Sequence, residues 1–115
     1  MGSDRHEGKD FRRARLYDLD LRFKQFAGAN LEFVDFTGCD LRATNFGGAN
    51  LRGAFLTGAQ LDHANLDDAN LDDAYLVATN FGDASVAKAT FERVVGDQAT
   101  TWPPGYHPPR SGQCL

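Results

Sequence analysis

The sequence predicts an all-β solenoid, in which the chain turns a corner every five residues and stacks its coils in parallel. Three observations predict it. A large apolar residue returns at every fifth position from Phe11 to Phe91. A small residue usually stands two positions before it. A polar residue, most often Asn or Asp, stands directly before it.

The apolar series reads Phe11, Leu16, Leu21, Phe26, Leu31, Phe36, Leu41, Phe46, Leu51, Leu56, Leu61, Leu66, Leu71, Leu76, Phe81, Val86 and Phe91. No member is polar. The small position holds Ala14, Ala29, Ala49, Ala54, Ala59, Ala64, Ala69, Ala74, Ala84 and Ala89, with Val34, Cys39, Thr44 and Thr79 as variants. A straight helix cannot use this spacing, because five residues advance about 140° and smear the series over every face. A straight strand fails as well, because an odd period throws successive members onto opposite faces. A short strand with small and large side chains inward and the polar residue outward, followed by a two-residue corner, satisfies both. Gly, Asn and Asp suit such corners. Each unit then buries its apolar face only by stacking on the next coil.

With these residues in view the chain resembles a known family. Units such as Ala49-Asn50-Leu51, Ala64-Asn65-Leu66 and Ala69-Asn70-Leu71 are similar to the A(D/N)LXX units of pentapeptide repeat proteins. The resemblance covers about three quarters of the chain. It implies a right-handed quadrilateral parallel β-helix with four repeats per coil, hence about four coils here. On that count residues twenty apart stack at roughly the 4.8 Å strand spacing. One corner column then reads Arg12, Glu32, Arg52, Asp72, Glu92, with alternating charge over its first four members. Another reads Asp10, Asn30, Asn50, Asn70, Thr90, a polar ladder.

In chain order, residues 1–10 form a polar N-terminal segment, expected to be loose or to cross the open end. Residues 11–93 form the β-helix. Its first coil is irregular, with Lys9, Leu19 and Lys24 at the small inward position. Tyr17 and Phe23 are expected to fold over that end. Residues 94–115 form a Pro-rich cap and tail. Four prolines between Pro103 and Pro109 exclude helix and central strand. The run Thr101-Trp102-Pro103-Pro104-Gly105-Tyr106 resembles the ending of many short members of the family, and implies that Trp102 and Tyr106 cover the last coil. Arg110 to Leu115 read as a mobile tail.

The net charge of −4 is uneven: residues 1–60 sum to +1 and residues 61–115 to −5. The acidic side chains gather at Asp62, Asp67, Asp68, Asp72 and Asp73, with Asp83 one coil on. Such a field opposes nucleic acid, so no direct nucleic-acid binding is expected. No stretch approaches the length of a membrane span, and no signal peptide is evident, so a cytoplasmic protein without membrane contact is expected. Two cysteines, Cys39 and Cys114, make no disulfide framework.

No catalytic motif, cofactor motif or metal motif appears. His63, beside Asp62 and under Asp83, reads as a surface ion pair. Asp67-Asp68 and Asp72-Asp73 superficially suggest calcium, but successive corners of a square coil point apart. The expected function is therefore a non-enzymatic protein-interaction or scaffold module, a monomer or an end-on homodimer. The candidate partner surface is Phe33, Phe55 and Tyr75 on one side, and Asp62, Asp67, Asp68, Asp72 and Asp73 on the other. The alternative is a DNA-mimicking modulator of DNA gyrase or another DNA-binding protein. Quinolone-resistance members of the resembled family engage gyrase with an acidic, rod-like dimer, although this chain is shorter and lacks their dimerising C-terminal helix.

Overall fold

A computed structural model describes residues 5–106 and 113–114. The chain is a stack of parallel coils. Bridges join Asn30 to Asn50, Asn50 to Asn70, Phe55 to Tyr75 and Asn45 to Asn65, each pair twenty residues apart. Four five-residue units therefore complete one turn of the solenoid. Up to three backbone hydrogen bonds per unit join neighbouring coils: Phe36 N–H donates to Phe55 C=O at 2.8 Å, Gly38 N–H at the corner to Thr57 C=O at 2.9 Å, and Phe55 N–H to Val34 C=O at 2.9 Å.

Each corner is a four-residue turn. Ala54 N–H closes one by donating to Leu51 C=O at 3.0 Å, and its third residue, Gly53, has φ 69°. Positive φ at that place is what a type II turn demands. Non-glycine residues accept it at many corners, including Phe33, His63, Asp68 and Asp73. An Asn or Asp directly before the apolar residue has a specific task at many units. Its side-chain oxygen accepts the N–H two residues on, as in Gly47 N–H to Asn45 Oδ1 (2.9 Å), Asp67 N–H to Asn65 Oδ1 (2.9 Å) and Asp72 N–H to Asn70 Oδ1 (2.9 Å). That donor would otherwise go unpaired at the corner. The amides also run between coils: Asn65 Nδ2 donates to Asn45 Oδ1 at 3.0 Å, and Asn45 Nδ2 to Gln25 Oε1 at 3.1 Å.

The interior is filled by the five-residue series. Phe26, Leu31, Phe36, Leu41, Phe46 and every member from Leu51 to Phe81 are buried, with the alanines between them. Phe26 stacks on Phe46 at 5.6 Å and meets Phe36 edge-on at 6.1 Å. The polar variants of the small position are satisfied by one device. Thr44 Oγ1 donates to Leu21 C=O (2.8 Å), Thr79 Oγ1 to Leu56 C=O (2.6 Å), and the Cys39 thiol to Leu16 C=O (2.7 Å). Burial pushes that thiol above its ordinary pKa.

The ladder reaches past residues 11–93 at both ends. At the start, Arg5 bridges Gln25, and His6 N–H donates to Gln25 C=O at 2.6 Å. His6 takes the place of an apolar residue and stacks on Phe26 at 5.0 Å. The segment read as loose thus holds one further unit from Arg5 to Lys9, whose aromatic member is a histidine rather than a hydrophobe. The first coil keeps its backbone register despite Lys9, Leu19 and Lys24, since Lys9, Leu19 and Lys24 carbonyls accept from Asn30, Asp40 and Asn45. Tyr17 and Phe23 do not fold over the end: both are exposed, at 53% and 65%.

At the other end the repeat survives a one-residue insertion. Val95 bridges Tyr75 in step, but Thr101 bridges Asn80, twenty-one residues away. Asp97 absorbs the extra residue by accepting Ala99 N–H and Ala78 N–H, both at 3.1 Å. Trp102 consequently lands on Phe81, stacked at 5.1 Å, and meets Phe91 edge-on at 5.4 Å. Tyr106 packs on Phe91 at 5.4 Å and on Trp102 at 5.6 Å. Strand β1 (Val95–Gly96) pairs in parallel with β2 (Gln113–Cys114). The expected tail from Arg110 lies outside the described residues apart from that pair, as do His107, Pro108, Pro109 and Met1 to Ser3.

Candidate interaction surface

Because side chains fill the interior, chemistry and recognition are left to the outer faces and the two ends. The residues singled out from sequence fall into three different settings.

Phe55 and Tyr75 occupy the outward position of one face, a coil apart. Their rings stack at 4.7 Å with only 4° between planes. They are 38% and 41% exposed. Direct ladder pairing of the two backbones holds this geometry. The column runs Arg15, Asp35, Phe55, Tyr75, Val95, so a charged pair lies at one end of the aromatic strip and a half-buried valine at the other.

Phe33 does not join them. It sits at a corner with φ 57°, half-buried, over Gly53. The Arg13 guanidinium lies 5.0 Å from its ring centroid and that of Arg52 5.5 Å. Among the described residues no ring contact links Phe33 to Phe55 or Tyr75. The expected three-ring patch is therefore a two-ring strip plus a separate cation–π corner. Corner and outward positions face different ways off the same coil, which the twenty-residue spacing alone does not resolve.

The acidic coil is mostly engaged within the fold. Asp67 accepts Ala87 N–H at 2.9 Å and the Ser85 hydroxyl. Asp72 accepts Glu92 N–H at 2.9 Å. Asp73 binds Arg93 at 2.7 Å and Arg52 at 3.3 Å. The hydrogen bond from Arg93, aided by the charge of Arg52, lowers the pKa of that carboxyl. Asp62 folds over Gly82, and its Oδ1 is buried without a hydrogen-bond partner among the described residues. Asp68 and Asp83 are exposed and unpaired among the described residues. His63 is exposed and makes no ion pair with Asp62 or Asp83 among the described residues. No group of three or more potential metal ligands occurs among the described residues.

The opposite-charge column is realised only in part. Arg52 meets Glu32 at 3.6 Å, but its acidic neighbour on the other side is Asp73 rather than Asp72. Sequence reasoning missed a second pattern, Asp-x-Arg. Asp10 grips Arg12 at 2.8 Å, Asp20 grips Arg22 at 2.8 Å, and Asp40 grips Arg42 at 2.7 Å. The signal was legible as an Asp two residues before an Arg at three units. Hydrogen bonding to Arg22 pulls the Asp20 carboxyl down to about 2.

No helix among the described residues is long and apolar enough to cross a membrane. The family model described as Pentapeptide repeats (8 copies) matches residues 25–58 and 56–93. Among solved structures, the chain is similar to a pentapeptide repeat protein from Nostoc PCC 7120, at 31% identity and TM-score 0.75, over 93% of this chain and 85% of that one. It is also similar to HetL, a pentapeptide repeat protein involved in heterocyst differentiation regulation in the cyanobacterium Nostoc sp. strain PCC 7120. That match has 20% identity and TM-score 0.53, over 94% of this chain and 50% of that one, so it shows the fold alone. QnrB1, a plasmid-mediated fluoroquinolone resistance protein, matches at 22% identity over 91% of this chain and 53% of its own. The TM-score of 0.33 does not bear on function. No curated protein matches the sequence significantly. The family model's two matches within residues 25–93 and the Nostoc structure at 31% identity place the chain in a family known for right-handed β-helices: it belongs to the pentapeptide repeat proteins.

Proposed function

We propose that this protein is a non-enzymatic interaction module: a right-handed, four-sided rod that presents one face to another protein. The observation that carries this reading is the Phe55–Tyr75 stack. Two parallel rings at 4.7 Å, both exposed, are fixed by a ladder that leaves them little freedom. Rigid exposed aromatics are the usual anchors of protein interfaces, because they bring large contact area at low entropic cost. A filled interior offers no cleft in which a reaction would be shielded from water.

The acidic coil supports the alternative, a DNA mimic, less well. A mimic needs free carboxylates spaced along a rod. Here Asp67, Asp72 and Asp73 are committed to the next coil or to arginines. A cytoplasmic location goes with the proposal, supported by the absence of a disulfide framework in the sequence.

The test is affinity capture from native lysate with wild type, Phe55→Ala/Tyr75→Ala and Asp68→Asn/Asp83→Asn. The acidic variant uses carboxylates that hold no coil together. Loss of a retained protein with the aromatic variant alone supports this reading. Loss with the acidic variant alone, together with steep weakening by salt, moves the assignment to the DNA mimic. Retention by neither wild type nor variants overturns the interaction reading.

A further inference from the structure

We propose that the Gly82–Asp83 peptide is a two-position switch on one edge of the solenoid, set by the C-terminal cap above it. The inference does not depend on the aromatic strip.

The observation is a break in a regular pattern. At a corner, the second residue after the apolar one donates its N–H to a carbonyl of the next coil. Ala43 N–H donates to Asp62 C=O (2.9 Å), Gly58 N–H to Val77 C=O (3.0 Å), Asp68 N–H to Ala87 C=O (2.8 Å) and Asp73 N–H to Glu92 C=O (2.8 Å). Every member of this series from Gly8 to Asp73 does so except His63, whose N–H has no partner among the described residues. A second bond is missing at the same corner. Asp67 and Asp72 accept the N–H of Ala87 and Glu92 on the next coil, both at 2.9 Å. Asp62 stands at the equivalent place, yet its Oδ1 lies buried against Gly82 with no partner among the described residues.

One cause accounts for both. From Gly8 to Ala78 the left-handed φ falls on the second corner residue, as at His63 (62°) and Asp73 (64°). At the next corner on this column it falls on the first, Gly82 (48°), and not on Asp83. The type II turn has become its mirror form, type II′. The two forms point the central peptide in opposite directions, so Gly82 C=O is turned away from His63. Glycine accepts either form, and Asp accepts the left-handed second place at Asp68 and Asp73. In the type II form this corner would hold both missing bonds, as the Asp67/Ala87 and Asp72/Glu92 corners do.

The cap supplies the reason for the observed setting. With Thr101 bridged to Asn80, the carbonyl that Asp83 N–H would ordinarily reach is that of Pro103. Pro103 C=O instead closes a turn of its own, accepting Tyr106 N–H at 3.0 Å, with Gly105 at φ 79°. Asp83 N–H has no backbone partner among the described residues, so nothing holds its peptide in the type II form. The corner therefore responds to the cap. Its change of position re-aims Asp83 relative to His63, both exposed on that edge. A partner that prefers one arrangement of these two groups shifts the peptide, and through Pro103 the cap, by its difference in affinity.

Amide relaxation dispersion and hydrogen exchange of the full chain by NMR test this. In wild type, His63, Gly82 and Asp83 should show microsecond-to-millisecond exchange that Asp68 and Asp73 lack. The His63 amide proton should exchange with solvent about tenfold faster than that of Asp68, the effect of one missing bond. Gly82→Ala should abolish the dispersion and slow the His63 amide to the rate of Asp68. A Cβ at position 82 would lie 2.7 Å from the Asp62 carboxyl in the observed setting, whereas Val77 and Ala87 show that type II corners take a side chain at that place. Gly105→Ala, which strains the turn that holds Pro103 C=O, should enlarge the type II population. Flat dispersion profiles in wild type overturn the switch, as does a Gly82→Ala chain whose His63 amide still exchanges fast. An unaltered population in Gly105→Ala overturns the role of the cap.

Discussion

The ring of Phe33 occupies the space that a side chain at Gly53 would need: a Cβ there would lie 2.4 Å from Phe33 Cε1. The two residues are twenty apart, one coil above the other, and the bare Cα is what lets the ring lie flat between two arginines. Gly53 also has φ 69°. Gly53→Ala therefore incurs two costs, a left-handed conformation at about 1–2 kcal/mol and displacement of Phe33. Gly58 has φ 70° and open space around it, so Gly58→Ala carries the first cost alone. Gly53→Ala should lower the chemical-denaturation midpoint clearly more than Gly58→Ala. Equal losses would show that the ring moves aside freely.

Thr79 gives a cleaner measure of the inward polar position. Its hydroxyl is buried and donates to Leu56 C=O at 2.6 Å, a carbonyl that also accepts Ala59 N–H at 3.0 Å. Thr79→Val keeps the shape and removes the donor while leaving the carbonyl paired. The expected loss is about 1 kcal/mol, the net worth of one such bond. Urea denaturation monitored by circular dichroism checks it; a loss several times larger would mean that the hydroxyl positions the coil rather than merely pairing with it.

Asp20 should titrate about two pH units below an ordinary carboxylate, because hydrogen bonding to Arg22 stabilises its charged form. Its folded pKa is depressed, so any stability it contributes is present above its ordinary 3.8 and is lost as the pH falls toward about 2. A carbon-13 NMR titration should place its midpoint near 2, and Arg22→Gln should return it toward the ordinary value. A midpoint near 3.8 in the unaltered protein would show that the Arg22 contact does not persist in solution. Full exposure keeps the effect on global stability small.

Trp102 closes the last coil by stacking on Phe81 and meeting Phe91. Trp102→Ala uncovers both rings and the end of the stack. A loss on the order of 3 kcal/mol is expected, with binding of a hydrophobic dye and a tendency to associate through the bared end. Trp102→Phe should recover most of the stability, since stacking on Phe81 needs a ring rather than an indole.

Phe55 and Tyr75 should be coupled energetically as well as geometrically. A double-mutant cycle through Phe55→Ala and Tyr75→Ala is expected to return about 0.5–1.5 kcal/mol, the range for paired aromatics. A coupling near zero would mean that the rings separate in solution, and the interaction surface would lose its rigidity.

The sequence by itself determined the solenoid. Phe11 to Phe91 at intervals of five admit neither a straight helix nor a straight strand, and the small residue and the Asn or Asp in each unit mark its inside and its corner. These are local rules, read from each residue and its nearest neighbours. They faltered where a residue broke type while keeping its place. His6 stacks on Phe26 as the apolar series would, and Trp102 rejoins that series only after the extra residue near Asp97. His6 keeps the count of five but not the apolar type, whereas Trp102 keeps the type but falls one residue off the count. Tertiary structure alone decided the surface. A period of twenty says which residues are neighbours along a column but not which way each side chain leans. That choice set Phe33 between Arg13 and Arg52 rather than beside Phe55, and set Arg52 on Asp73 instead of Asp72. The physical reason is that burial is imposed by the backbone period, whereas an exposed side chain takes its direction from competing partners on adjacent coils.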